Sequence, residues 1–113
     1  MKDPQLFSGK ELRFLEMEKD FQNRLTEAAR LMGWRIYSVP DSRRASLSGF
    51  PDLVMWEVKS HRLIMAELKR EKGRLSEAQK VVLEELDQIP GIEVYVWRPS
   101  DWDEILKILR KTF

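Results

Sequence analysis

Cysteine is absent from this sequence, which also has one histidine, five glycines and five prolines in 113 residues. Without cysteine there are no disulfide bridges and no cysteine-ligated metal sites. No segment approaches the roughly 18 consecutive apolar residues that suggest a membrane-spanning helix. The first 30 residues contain no apolar run of the signal-peptide type. We therefore expect a soluble protein of the cytoplasm with no membrane partner.

An excess of charge of one sign is also missing. The chain has 20 basic and 19 acidic residues and a net charge of +1, although 35% of its residues are charged. Overall charge therefore does not predict a nucleic-acid partner, and any such surface must arise from local clustering. The length is typical of one domain, so we expect a single domain over residues 1–113 with a loose terminus at residues 1–8.

The apolar spacing predicts an alternation of helices and strands. Helical periodicity runs from about Lys10 to Met32, and Gly33 ends it. Strands are predicted at residues 34–39, 52–58, 63–69 and 93–98, with helices at 76–89 and 101–111. The second and third strands form a hairpin, whereas the third and fourth are joined through a helix and should be parallel. The fold class is therefore α/β, with a small mixed sheet flanked by helices.

Charged residues end an otherwise apolar strand, "LIMAELK" at 63–69. Side chains alternate along a strand, so Glu67 and Lys69 share one face. Asp52, after "GFP", begins the preceding strand, and the hairpin places it opposite that end. A lone E-x-K is most often a surface salt bridge. A nearly continuous apolar strand is typical of a buried one, however, where a charge is costly unless it is paired or metal-bound.

A further carboxylate falls within the apolar stripe of the first helix. Glu18 lies four residues after Phe14 and three before Phe21. It either borders the stripe and reaches solvent or turns inward to join the site, and Glu16 is a weaker rival off the stripe. Clustered oxygen ligands suit Mg²⁺ or Mn²⁺. Lys69 suits a fixed positive charge beside a phosphate or an attacking water.

Basic residues are concentrated in two loops near this end of the sheet. They are Arg43, Arg44, Arg70, Lys72 and Arg74. Such local charge can hold phosphates despite the low net charge, although each residue alone is equally compatible with a solvated loop. No helix-turn-helix or zinc-finger pattern is present, so DNA shape or branching is a better expectation than base-specific reading.

The segments "GFPD" at 49–52 and "ELK" at 67–69 resemble the PD-(D/E)xK nuclease superfamily. The narrower resemblance is to the virus-type replication-repair nuclease domain, VRR-NUC. It is carried by "MEKDFQ", "GW", "GFPDLV", "ELKREKGRLSEAQ" and "VYVWRPSDWDEI", from about Glu18 to Leu109. This resemblance implies a restriction-endonuclease-like core of order αβββαβ followed by a C-terminal helix.

The resemblance also implies roles for individual residues. Asp52 and Glu67 would be metal ligands, with the Leu68 carbonyl as a third, and Lys69 would be the catalytic lysine. Glu18 would join the metal site directly or through water.

Three polar positions leave alternatives open or depart from the family. Gln79 matches a family glutamine that positions water or phosphate, but Ser76-x-x-Gln79 is equally well a capping box. Family members often carry a histidine where Ser38 stands. The single histidine, His61, is expected in a solvated turn.

The function expected from this resemblance is a Mg²⁺- or Mn²⁺-dependent DNA endonuclease. Small members of the family act on branched DNA such as four-way (Holliday) junctions, which suggests a phage or prophage setting. A non-catalytic module that binds DNA or a partner is the alternative. A sequence-specific restriction enzyme is a third possibility, but the chain has no room for a reading element.

We also expect a homodimer. Resolving a four-way junction needs two symmetric cuts, and a two-fold dimer supplies paired sites. Trp56, Trp97 and Trp102 are not easily all placed in the core, and aromatic residues are favoured at interfaces.

Overall fold

The computed structural model describes residues 18–40 and 46–111, apart from the side chain of Glu18. The predicted loose terminus, the first turns of the predicted first helix, Arg43 and Arg44 lie outside the described residues. The elements are α1 (Glu18–Leu31), β1 (Arg35–Ser38), β2 (Leu53–Glu57), β3 (Arg62–Leu68), α2 (Glu77–Asp87), β4 (Ile92–Trp97) and α3 (Trp102–Arg110). Within these ranges, none of the helices has the length and apolarity needed to span a bilayer.

The four strands form one sheet in the order β1-β2-β3-β4. The β1–β2 and β2–β3 pairs are antiparallel, and the β3–β4 pair is parallel. The predicted mixed α/β sheet, with its hairpin and its helical crossover, is confirmed. β2 is shorter than predicted, since it begins after Asp52, and β3 is shifted by one residue, so that it ends before Lys69.

The two faces of β3 are covered differently. Ile64, Ala66 and Leu68 belong to the core, which α1 and α3 close on one side of the sheet. The core also contains Phe21, Leu25, Ala29, Trp34, Leu53, Met55, Trp97, Ile105 and Leu109. Side chains alternate along β3, so Glu67 points to the other face. Helix α2 lies on that face, because its Gln79 side chain donates to the Glu67 carboxylate.

Most of the tryptophans are used by the core. Trp97 is only 3% exposed, and Trp102 packs against the core cluster. Trp56 remains 37% exposed. Of the three tryptophans that were not all expected to fit in the core, two are packed in it or against it. The aromatic surface available for an interface is therefore smaller than the sequence indicated.

A buried ion pair closes the end of the sheet where β3 and β4 begin. Arg62 is 4% exposed, and its guanidinium donates two hydrogen bonds to the Glu93 carboxylate, at 2.7 and 2.6 Å. The same guanidinium donates to the carbonyls of Ile108 and Lys111, each at 2.8 Å. These two carbonyls lie at the end of α3, where a helix leaves carbonyl groups available to partners outside it. Arg62 therefore ties the C-terminal helix to the sheet.

The surroundings of Glu93 keep the ion pair charged. Burial raises the pKa of the Glu93 carboxyl, but hydrogen bonds from Arg62 and Tyr95 outweigh burial and hold it below its ordinary value. Tyr95 donates to Glu93 at 2.7 Å. Burial, together with this bond, raises the pKa of Tyr95 to about 12, so its phenol stays protonated at neutral pH.

We predict that Glu93→Gln lowers the free energy of unfolding by about 3 kcal/mol at pH 7, because it removes the carboxylate that compensates a buried guanidinium. The exposed Glu84→Gln is the control and should change stability by less than about 0.5 kcal/mol. A carboxyl whose pKa is lowered by folding stabilises the folded protein at pH values above its ordinary pKa. That contribution is lost as the pH falls through the pKa of the folded state. In urea unfolding, the difference between wild type and Glu93→Gln should therefore narrow below pH 4.5. Equal midpoints for the two variants at pH 7 would contradict this assignment.

Candidate active site

The pairing of β2 with β3 brings two carboxylates to one face of the sheet. Leu53 pairs with Ala66 at the end of the ladder. Continued by one residue, the same register sets Asp52 opposite Glu67. Side chains at directly opposite positions point to the same face and lie about 5 Å apart at Cβ. Asp52 is half-buried and the Glu67 side chain is 2% exposed, so both are largely shielded from bulk water.

The Asp52 side chain replaces a backbone partner at the end of this ladder. Its Oδ2 accepts a hydrogen bond from the Leu68 amide at 2.8 Å. In an antiparallel ladder, the N–H and C=O of one residue face the same neighbouring strand. The Leu68 carbonyl therefore faces the side of β3 on which Asp52 lies. This agrees with its predicted place beside the two carboxylates.

Lys69 and Gln79 approach the same oxygen of Glu67. The Lys69 Nζ lies 3.8 Å from Glu67 Oε2, and the lysine side chain is only 14% exposed. Gln79 Nε2 donates to that oxygen at 3.0 Å. The structure thus brings together Asp52, Glu67, Lys69 and Gln79, all four side chains that the sequence assigned to catalysis.

Both interpretations of Gln79 describe real contacts. Its Oε1 accepts from the Ser76 amide at 2.8 Å, while Ser76 Oγ accepts from the Gln79 amide at 3.1 Å. These two bonds form the capping box of α2. A primary amide has separate donor and acceptor atoms, so Gln79 caps the helix with its oxygen and holds Glu67 with its nitrogen.

The loop that delivers Asp52 packs against the start of α2 through Gly49. This residue has φ +91°, and a Cβ placed on it would lie 2.5 Å from the carbonyl carbon of Ala78. Only glycine satisfies both the backbone conformation and the close approach. A pocket of about 210 Å³ lies at this junction, and its walls include Asp52, Phe50, Ser76 and Gln79.

The comparison with protein families agrees with this geometry. A family model described as the VRR-NUC domain matches residues 12–101, which is most of the chain. The chain belongs to the VRR-NUC family. No curated protein and no solved structure matches it. The predicted family and its restriction-endonuclease-like fold are confirmed, and membership indicates a nuclease that acts on DNA.

Several other residues that were predicted to belong to the site of this VRR-NUC domain are not placed beside Asp52 and Glu67 by the structure. Arg70, Lys72 and Arg74 are exposed on the segment that follows Lys69. The side chains of Glu18, Arg43 and Arg44 are outside the described residues. Across the described residues, no group of three or more acidic, histidine or cysteine side chains is placed to hold a metal. Among these predicted residues, the two carboxylates that the described part of the chain brings together are those of Asp52 and Glu67.

The structure also describes Ser38 and His61. Ser38, where the resemblance led us to expect a histidine, accepts a hydrogen bond from the Gln22 amide group at 3.0 Å. His61 is exposed and adopts φ 59° in the β2–β3 turn, as expected for a solvated turn residue.

Arg98, which lies directly after β4, was not predicted from the sequence as part of the site. Its guanidinium donates to the carbonyls of Glu71 and Gly73, in the turn that follows Lys69. The only sequence signal was a basic residue at the end of the strand predicted at 93–98.

We predict that Gly49→Ala lowers the free energy of unfolding by at least about 3 kcal/mol, since it adds a collision with the backbone of α2 to the cost of a positive φ. Gly91→Ala is the matched control, because Gly91 has φ +88° with no atom within 4 Å of an added Cβ. It should cost only about 1 kcal/mol. Urea unfolding measures both, and equal losses would show that the approach to Ala78 is unimportant.

The two contacts of Gln79 can be separated by comparing Gln79→Ala with Ser76→Ala. Each variant damages the capping box and should cost about 1 kcal/mol in thermal unfolding. Only Gln79→Ala also removes the hydrogen bond to the Glu67 carboxylate. This variant alone should therefore slow DNA cleavage, by about 10-fold or more. Equal initial rates of cleavage for the two variants would show that Gln79 acts only as a helix cap.

Proposed function

We propose that this VRR-NUC protein is a metal-dependent DNA endonuclease that selects branched DNA such as four-way junctions. The observation that carries the proposal is the placement of Asp52 opposite Glu67, with the Lys69 ammonium 3.8 Å from Glu67. Two like charges at opposite positions of a hairpin destabilise it. Such a pair is better explained as a site for a cation than as a structural ion pair.

The donor chemistry fits Mg²⁺ or Mn²⁺. Asp52, Glu67 and the Leu68 carbonyl offer only oxygen atoms, which these hard cations prefer. Protein sites for Mg²⁺ commonly use one or two carboxylates and leave other positions to water and substrate phosphate. These three groups would hold the ion, with Glu18 as a further candidate. When bound, such an ion polarises the phosphoryl group and makes water more acidic.

The remaining residues of the site act on charge and orientation. The Lys69 ammonium would stabilise the negative charge that develops on the phosphate as the bond breaks, or hold the attacking water. Gln79 keeps the Glu67 carboxylate in a fixed orientation through its 3.0 Å bond. We assign binding of the DNA backbone to Arg70, Lys72 and Arg74, together with Arg43 and Arg44.

The alternative is a module that retained the nuclease fold and only binds DNA or a protein partner. Such a module would have no use for an aspartate, a glutamate and a lysine that converge on one point. The alternative predicts binding of branched DNA without cleavage in Mg²⁺ or Mn²⁺. An assay of the wild type on linear, flapped, forked and four-way DNA therefore separates the two functions.

In that assay, Asp52→Asn, Glu67→Gln and Lys69→Met should each reduce cleavage by about 100-fold or more, because each removes a charge placed for the transition state. Calorimetric titration should show weaker Mn²⁺ binding for the two carboxylate variants and unchanged binding for Lys69→Met. Asp87→Asn and Lys80→Met, both exposed on α2, are the charge-matched controls. Near-full activity in any one of the three site variants would remove that residue from the catalytic assignment.

We also propose that the active form is a homodimer, because symmetric cuts across a junction need two equivalent sites. Trp56 and Tyr37 support an interface on the sheet face that carries Asp52. They are 37% and 53% exposed, and strand alternation places them on that face. Branched intermediates arise in replicating phage DNA, so we place the enzyme in the cytoplasm of a bacterial host, encoded by a phage or prophage.

Sedimentation equilibrium at micromolar concentration should give a mass of twice the 13.5 kDa chain. Trp56→Ser should shift the equilibrium toward monomer, whereas Leu31→Ser, at an exposed apolar position at the end of α1 on the other face of the sheet, should not. A mass near one chain, both with and without junction DNA, would exclude the dimer and the paired cuts together.

A further inference from the structure

Arg98 holds a turn of the backbone that follows the proposed catalytic lysine. Its Nε donates to the Glu71 carbonyl at 3.2 Å, and its Nη2 donates to the Gly73 carbonyl at 2.6 Å. The turn is closed by the Gly73 amide, which donates to the Arg70 carbonyl at 2.9 Å. One guanidinium therefore bridges two carbonyls of a single tight turn, which a planar fork of donors can do and an ammonium cannot.

Arg98 is itself fixed at the end of the sheet. β3 and β4 are parallel and pair Leu68 with Trp97, so the residues after them emerge side by side. The Lys69 amide donates to the Trp97 carbonyl at 3.0 Å. The Arg98 amide donates to the Asp101 carboxylate at 2.9 Å. The base of the arginine is thus held on the same frame that carries Lys69.

A second contact ties the turn to the connection before α3. The Glu71 carboxylate accepts a hydrogen bond from the Ser100 amide, at the start of the short 3₁₀ turn Pro99–Asp101. Together with the two bonds from Arg98, it joins residues 71–73 to residues 98–100 at three points. Arg70 and Lys72 remain exposed on the outside of the turn.

The turn lies close to the stem of Lys69. A Cβ built on Gly73, which has none of its own, would come within 3.4 Å of the Lys69 Cδ. A lysine stem has several rotatable bonds, and its free rotation would move the ammonium by several ångströms. The nearby turn limits the space open to that rotation, and the Lys69 side chain is only 14% exposed, with its Nζ 3.8 Å from Glu67 Oε2.

We infer that Arg98 is a positioning residue, which clamps the turn at residues 70–73 against Lys69 and so fixes the ammonium beside Glu67. This inference rests on the proposed nuclease function, because it assigns to Arg98 an effect on the reaction through Lys69. Two protein carbonyls accept hydrogen bonds from the Arg98 guanidinium, so we expect Arg98 to act on the rate of the chemical step rather than on DNA affinity.

The test compares Arg98→Ala and Arg98→Lys with wild type in single-turnover cleavage of four-way DNA, with enzyme in saturating excess over the DNA and with saturating Mg²⁺. The rate should fall by about 10- to 100-fold in Arg98→Ala, as expected when a catalytic group is displaced by about 1 Å. Arg98→Lys keeps the charge and should remain at least about fivefold slow, because its ammonium lacks the fork. DNA affinity, measured without metal, should stay within about twofold. Arg110→Ala, at an exposed arginine in the last turn of α3, is the control.

Hydrogen exchange gives a readout that does not depend on activity. Arg98→Ala and Arg98→Lys should speed exchange of the Gly73 amide while leaving the β2 amides unchanged. Faster exchange with an unchanged cleavage rate would overturn the positioning role and leave the nuclease intact. Weaker DNA binding with an unchanged saturated rate would make Arg98 part of the DNA-binding surface and also overturn it. If wild type cleaves none of the DNAs, the nuclease proposal fails and the catalytic role of Arg98 fails with it, while the exchange data still show whether the clamp exists.

Discussion

The hydrogen bond from the Leu68 amide to the Asp52 carboxylate is the contact on which the candidate site depends. It ends the β2–β3 ladder with a side chain in place of a carbonyl. The register that leads to it, with Leu53 opposite Ala66, sets Asp52 and Glu67 on the same face. A slip of one residue would send the two carboxylates to opposite faces. The register of the β2–β3 pair therefore determines whether the two carboxylates meet at the site.

Buried charge is balanced at one end of the sheet and in excess at the other. At one end, the charge of Arg62 is matched by Glu93, and the arginine's other donors are used by carbonyls of α3. At the other end, Asp52 and Glu67 bring two negative charges together with one nearby ammonium from Lys69. The first arrangement is suited to stability and the second to binding a cation. Stability gained at the far end can offset the cost of carboxylates held close together at the site.

Alternation and hairpin geometry were enough to predict the placement of Asp52, Glu67 and Lys69 from the sequence, because those rules act over a few residues. Arg98 was missed because its partners are backbone carbonyls 27 and 25 residues away. Arg62 was missed because its carboxylate partner, Glu93, and its two carbonyl partners lie 31 to 49 residues away. A carbonyl has no sequence signature, so tertiary contacts of this kind cannot be found from residue types. For Gln79, the sequence suggested a cap or a catalytic contact as alternatives, whereas the two ends of one amide make both contacts.

The way in which the site is supported also bears on how a chain of 113 residues could select its substrate. Gly49 fixes the loop before Asp52 against α2, and Arg98 fixes the turn after Lys69 against the end of β4. Both supports are parts of the nuclease core, and the described residues include no additional element that could enter a DNA groove and read bases. Under the proposed function, selection would come from the shape of the surface around the site, where the basic turn and the pocket beside Asp52 lie. A surface that contacts phosphates fixes register and orientation on DNA without reading its sequence, which favours a substrate defined by its branching.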